Sequence, residues 1–225
     1  MYRHLLFDAD NTLLDFNEGE RCALREALSD SPLEFSDEVY RKYHLINDSL
    51  WKDLELCKIQ RDRLRVLRFE YLFNDFGLDG TLYAPKMDEI FLERMRHQSQ
   101  LFDGVEDVLK YLFERYSLYI VTNASVKVQR FRLSRTCFHK YFKKYYISEE
   151  IGAHKPQKEF FDKVVTDIND DISSFLVIGD SLSSDIKGAE ISGIDSCYLD
   201  HLGKGAGSYN PKYIINDIRD LINIL

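Results

Sequence analysis

Residues 4–14 read His4-Leu5-Leu6-Phe7-Asp8-Ala9-Asp10-Asn11-Thr12-Leu13-Leu14. A short apolar run stops at an acid, a second acid stands two positions on, and turn-forming residues follow. Such a run, bounded by turn chemistry, predicts a buried strand over residues 4–7. Residues i and i+2 of a strand face the same way. Just past the strand end, Asp8 and Asp10 can therefore address one ligand. One carboxylate can attack phosphorus while the other protonates the leaving oxygen and then deprotonates water. Backbone N–H groups of the turn at Asn11 can hold phosphate oxygens.

Outward from this stretch, apolar runs at 118–122, 145–147, 175–178 and 196–199 predict four more strands, and 213–215 a weaker sixth. Between them, 105–115 carries Val105, Val108, Leu109 and Leu112 at helical spacing, and 158–165 and 184–191 read the same way. Strands alternating with helices predict an α/β fold, a Rossmann-like parallel sheet with helices on both faces. Residues 17–98 contain no such strand. They are rich in Arg, Glu, Leu and aromatics and predict an inserted all-helical domain, with breaks near 29–32, near 74–80 and at Pro85. Two domains are expected: an α/β core of 1–16 and 99–225, and a helical domain of 17–98.

Ligands of an open parallel sheet bind outside the carboxyl ends of its strands. Asp8 and Asp10 follow the first strand, Thr122 and Asn123 close the second, and Gly179-Asp180-Ser181-Leu182-Ser183-Ser184-Asp185 follows the fourth. Lys155-Pro156 lies between the third and fourth. Each piece alone has an ordinary structural role as turn, cap or solvated loop; the ordered set, each at a strand end, is specific. Four carboxylates on one edge repel, and some must take up a proton unless a cation joins them. Mg²⁺, which prefers oxygen ligands, fits that need, as Mn²⁺ or Co²⁺ could. Phosphoryl transfer spreads its charge over three oxygens, which Thr122, Lys155 and the metal can each take.

The net charge of −8 disfavours a nucleic-acid polymer as partner but not a small phosphorylated molecule, which sees only its pocket. No apolar run is long enough to span a membrane. There is no secretory leader pattern after Met1, and the scattered Cys22, Cys57, Cys137 and Cys197 include no C-x-x-C pair. Reduced thiols in a cytoplasmic protein are expected.

The ordered set resembles the haloacid dehalogenase-like (HAD) hydrolase superfamily. The matching stretches are Leu5 to Leu13, Tyr119-Ile120-Val121-Thr122-Asn123, Lys155, and Val177-Ile178-Gly179-Asp180-Ser181 with Asp185. The resemblance implies a Rossmann-like core with a mobile helical cap of the C1 type. It implies Asp8 as the nucleophile that becomes an aspartyl-phosphate and Asp10 as general acid/base. It implies Thr122 and Lys155 as phosphate ligands. Asp8, the Asp10 carbonyl, Asp180 and, through water, Asp185 would hold Mg²⁺. Members that cleave carbon–halogen bonds lack an aspartate two residues after the nucleophile, because a departing halide needs no proton. Asp10 thus favours phosphoryl transfer over dehalogenation. The same motifs could also belong to a sugar phosphomutase, to a phosphatase of another small metabolite or to a non-catalytic binding protein.

A closer resemblance is to the YjjG/YfnB group of 5′-nucleotidases. It is carried by Asn47-x-x-Leu50-Trp51 with Ile59, Leu64 and Arg68-Phe69, and by Ile147-Ser148-Glu149-Glu150-Ile151-Gly152 running into Lys155-Pro156. It implies a nucleoside 5′-monophosphate substrate, pyrimidine preferred. A monomer or homodimer is expected. Ala124, where the group has glycine, and His154, where it has a small residue, depart from the pattern and bear on the shape of the phosphate loop. Phe16 and Asn17, just past the first motif, and Trp51 and Lys52 are the candidate leaving-group contacts; packing between helices is the competing role for Trp51.

Overall fold

A computed structural model describes residues 1–225. The apolar runs form strands β1 (His4–Phe7), β2 (Ser117–Thr122), β3 (Phe142–Ile147), β4 (Phe175–Gly179), β5 (Asp195–Leu199) and β6 (Tyr213–Ile215). They make one six-stranded sheet in the order β3-β2-β1-β4-β5-β6, with every neighbouring pair parallel. Strand residues alternate between two apolar layers, as a pleated backbone requires. Leu5, Phe7, Leu118, Ile120, Leu176 and Ile178 lie in one, and Leu6, Val121, Phe175 and Val177 in the other. A sheet buried on both faces is the α/β arrangement the sequence predicts.

The helical unit contains α1 (Phe16–Leu28), α2 (Asp37–Glu55), α3 (Arg61–Asp75) and α4 (Gly80–Met95). The core adds α5 (Val105–Phe113), α6 (Val126–Ser134), α7 (Ser148–Ile151), α8 (Lys158–Ile168), α9 (Lys187–Ser192) and α10 (Leu221–Ile224). Val105, Val108, Leu109 and Leu112 of α5 pack into one layer, and Phe160, Phe161 and Val164 of α8 into the other. The chain divides into two compact units, Met1–Phe16 with Ser99–Leu225, and Asn17–Gln98. On the core side the outgoing and returning segments pair: Leu14 bridges Leu101 antiparallel, Asp15 N donates to Gln100 O at 3.0 Å, and Phe102 N donates to Leu13 O at 3.2 Å. No helix is long and apolar enough to cross a membrane, and all four cysteines are free thiols.

Two local expectations are corrected. Pro85 does not break a helix but lies inside α4. It sits in the second turn, where its missing N–H costs a ladder bond. The helix holds because Asp79 caps its start with bonds to the N–H groups of Thr81 and Leu82, and Ala84, Met87, Phe91 and Met95 bury one face. A break that the sequence reading did not place separates α2 from α3 at residues 56–60, where Cys57 takes a left-handed φ of 57° without Gly or Pro to announce it. In the core, the helix expected over 184–191 begins as a π-helical turn, Leu182–Ile186, before α9.

Gly80 lets α4 approach α3 closely: a Cβ there would overlap the Glu70 carbonyl of α3. Gly80→Ala is expected to force α3 and α4 apart and destabilise this unit by about 1–3 kcal/mol. Urea unfolding should show a lowered midpoint.

Candidate active site

Strand order reverses about β1, whose neighbours β2 and β4 lead to opposite halves of the sheet. At such a switch point the loops diverge and leave a crevice at the carboxyl edge. Phe7 is in register with Ile120 of β2 and Ile178 of β4, so Asp8 leaves β1 level with Val121 and Gly179, and Thr122 and Asp180 follow one residue on. Asp8 N donates to Ile178 O at 2.8 Å and fixes the exit of β1.

The chain then turns sharply. Leu13 N and Leu14 N both donate to Ala9 O, at 3.0 and 2.9 Å, and Asn11 N donates to Leu14 O at 2.8 Å. Asn11 takes φ 58°, a left-handed conformation that asparagine tolerates better than most residues. Its carbonyl accepts from His201 Nε2 at 2.7 Å. The turn presents Asp10 beside Asp8.

Lys155 ties the edge together. Its ammonium donates to Asp8 Oδ1 at 2.6 Å, to Asp185 Oδ1 at 2.6 Å and to Val121 O at 2.8 Å, which uses its three protons. The side chain is 2% exposed. Asn123 positions it: Asn123 Oδ1 accepts from Lys155 N at 2.9 Å, and Asn123 Nδ2 donates to Lys155 O at 2.8 Å and to Ser184 Oγ at 3.3 Å. The Asn123 amide thus grips the Lys155 backbone. Thr122, also buried, accepts from Ala124 N at 3.2 Å through Oγ1. Ala124 has an ordinary negative φ, so its Cβ brings no backbone strain to this turn. His154 N donates to Gln157 Oε1 at 2.9 Å, and its Nδ1 lies 3.2 Å from Lys155 O.

From the fourth strand, Asp180 accepts from Thr12 Oγ1 at 3.3 Å, and Asp185 Oδ2 accepts from Ser181 N at 3.1 Å. Gly179 is required here: a Cβ would overlap the Asp185 carboxylate. Carboxylate oxygens of Asp8, Asp180 and Asp185 lie within 4.8 Å of one another.

The electrostatics follow. Burial pushes the Asp8 carboxyl up to about 7, with Asp185 and Asp10 adding to the rise and Lys155 opposing it. Burial also lifts Asp180 well above the usual carboxylate range, with repulsion from Asp8 and Asp185 behind it. For Lys155, burial disfavours the charge, but Asp185 and Asp8 outweigh it and hold the ammonium more firmly protonated than usual. One ammonium bridging two of three clustered acids leaves surplus negative charge. Hard oxygen donors so arranged fit a divalent cation such as Mg²⁺.

Asp8, Asp10, Thr122, Asn123, Lys155, Asp180 and Asp185 are thus gathered on one edge. In the helical unit, Trp51 is partly buried against the apolar cluster of Leu50, Leu54, Leu64 and Leu67, and Lys52 is exposed near the end of α2. Asn17 is exposed, and its carbonyl accepts from Tyr40 Oη at 3.0 Å. Phe16 lies beneath a guanidinium, with Arg132 Cζ 5.6 Å from its ring centroid. Sequence reasoning missed Thr12, which steadies Asp180, and Arg132, whose Nη1 donates to Asp10 Oδ1 at 2.6 Å. Thr12 stood within the first motif; nothing in the pattern around Arg132 distinguished it from a surface arginine.

Comparison with known proteins gives a consistent picture. Residues 5–199 match the family model described as haloacid dehalogenase-like hydrolase. The chain is 36% identical to the pyrimidine 5′-nucleotidase PynA of Streptococcus pneumoniae (strain ATCC BAA-255 / R6) over 234 residues, covering 100% of this chain and 95% of that protein. It is 29% identical to the pyrimidine 5′-nucleotidase YjjG of Escherichia coli (strain K12) over 223 residues, covering 98% and 96%. The crystal structure of the HAD-hydrolase YfnB from Bacillus subtilis bound to magnesium superposes with a TM-score of 0.92 at 35% identity, covering 100% of this chain and 98% of that one.

Proposed function

The chain belongs to the haloacid dehalogenase-like hydrolase family, and on that basis we propose that it is a Mg²⁺-dependent phosphomonoesterase of nucleoside 5′-monophosphates, pyrimidine ones preferred, working through an aspartyl-phosphate on Asp8. The observation that carries the reading is the second carboxylate: Asp10, two residues past Asp8, is held in place by Arg132. An alkoxide leaving group needs a proton from such a residue. The names of PynA and YjjG support the nucleotide class.

In this reading Asp8 attacks phosphorus in line with the ester oxygen. As that P–O bond breaks, Asp10 gives its proton to the departing oxygen. Asp10, now a carboxylate, takes a proton from water, whose oxygen attacks the phosphorus of the aspartyl-phosphate. The bond to Asp8 then breaks and inorganic phosphate leaves. Lys155, its three protons engaged by Asp8, Asp185 and Val121, contributes its positive charge to the phosphoryl group, and Thr122 holds a non-bridging oxygen together with backbone N–H groups of the Asn11 and Asn123 turns. Asp8, Asp180, Asp185 and the Asp10 carbonyl would hold Mg²⁺, which supplies positive charge against the developing negative charge of the phosphoryl group. The helical unit acts as a cap that supplies leaving-group contacts, with Asn17 and Lys52 as its candidates and Phe16, the last residue of the core's first segment, as a further one; the packing of Trp51 favours a structural role for that ring.

The test is turnover of purified protein on nucleoside monophosphates, sugar phosphates and pyridoxal phosphate, before and after chelation. A pyrimidine nucleotide should be the best substrate. Removing the metal should lower turnover by about 100-fold or more, with recovery on adding Mg²⁺. A sugar phosphate turned over better than any nucleotide would overturn the substrate class. Full activity in the chelated protein would overturn the metal requirement.

A further inference from the structure

Arg132 is among the largest fully buried side chains of the chain, at 1% exposure. Burying a guanidinium is costly unless it is paired, and its partners here are specific. Nη1 donates to Asp10 Oδ1 at 2.6 Å and to Gln129 Oε1 at 3.1 Å, and Gln129 is itself buried. Both residues lie on α6, which begins shortly after the Thr122-Asn123 turn. The Asp10 side chain keeps 23% exposure. With Oδ1 anchored from the protein side, that exposed remainder is what an ester oxygen or a water can reach.

We propose that Arg132 is the positioning residue for the acid/base of this enzyme: it fixes the rotamer of Asp10 so that one carboxylate oxygen meets the leaving oxygen and then the attacking water. The inference rests on the phosphatase reading with Asp10 as proton donor. Arg132 is too buried to meet substrate and bears on the chemistry through Asp10. Because α6 also follows the Thr122 turn, the phosphate-holding loop and the acid/base are set by one rigid element. A displacement of about 1 Å at such a group costs roughly 100-fold in rate. Lysine, a single point charge without the planar fork, replaces this anchor only in part.

The test separates positioning from general support of the fold by leaving-group dependence. The value of kcat/KM reports the steps up to release of the leaving group. A nucleoside 5′-monophosphate leaves as an alkoxide that must be protonated; p-nitrophenyl phosphate leaves as a stable phenolate that need not be. Asp10→Asn should lower kcat/KM by about 100-fold or more for the nucleotide and by less than about threefold for the aryl ester, while lowering kcat for both. Arg132→Met should give the same asymmetry at about 10- to 100-fold, and Arg132→Lys an intermediate one.

Equal loss on both esters in folded Arg132→Met, or no loss on either, overturns the assignment. Should Arg132→Met fail to fold, an unchanged nucleotide-to-aryl ratio in Arg132→Lys overturns it. A ratio unchanged in Asp10→Asn would instead overturn the acid role of Asp10 itself, so the two failures are distinct.

Discussion

Replacing Asp8 by asparagine is expected to abolish turnover, lowering kcat by at least about 10⁴-fold, while making the metal-free protein more stable. The first effect follows from chemistry: a neutral amide cannot form the aspartyl-phosphate, and loss of a nucleophile is among the largest single-residue effects known in enzymes. The second follows from linkage. The Asp8 carboxyl, pushed up to about 7 in the folded chain, has an ordinary value near 4 when unfolded. A group with a raised folded pKa favours the folded state at low pH and ceases to do so as pH rises through the folded value. The metal-free wild type should therefore lose stability between about pH 4 and pH 7, and Asp8→Asn should lose less. At neutral pH the variant should melt a few degrees higher without metal, yet gain less from added Mg²⁺. Melts with chelator and with Mg²⁺, beside initial rates, check both halves. Near-normal turnover in the variant would end the mechanism.

Replacing Lys155 by methionine should destroy both activity and stability. The ammonium bonds Asp8, Asp185 and a backbone carbonyl at once. Its removal leaves two carboxylates buried without their cation. Breaking a buried pair from one side costs about 3–5 kcal/mol, a large share of the stability of any domain. Arginine is too bulky for a site 1% exposed and should not rescue it. The deficit should shrink as pH falls, because the stranded acids can then take up protons, and also when Mg²⁺ is added. Denaturant titrations across pH, with and without the metal, measure it. An unchanged midpoint at neutral pH would show that the bridge contributes nothing.

The six strands were legible because each is a short apolar run stopped by turn residues, and the acids were legible because they stand at the ends of those runs. The extent of the helical unit was visible as the loss of that rhythm. What escaped notice had weak local signals. α6 reads Val126-Lys127-Val128-Gln129-Arg130-Phe131-Arg132-Leu133-Ser134, and two of its buried positions are polar, so its inner face is blurred in the sequence. Gln129 and Arg132 are buried for the sake of Asp10, 122 positions earlier in the chain than Arg132, a contact no local window contains. Pro85 misled for the opposite reason: its local penalty is real, but the burial of Ala84, Met87, Phe91 and Met95 overrides it.

The paired junction at Leu14 and Leu101 has a consequence for how such a protein can change. The helical insertion is grafted into the core between two segments that are already stitched to each other, so the entropy of closing the excursion grows only with the logarithm of its length. A longer, shorter or unrelated stretch could be spliced in at the same seam without relaying a single strand. If the insertion supplies the leaving-group contacts, as proposed above, selectivity for the leaving group and the chemistry at phosphorus are separately heritable, and a chimaera that exchanges only the stretch between those seams is the way to test it.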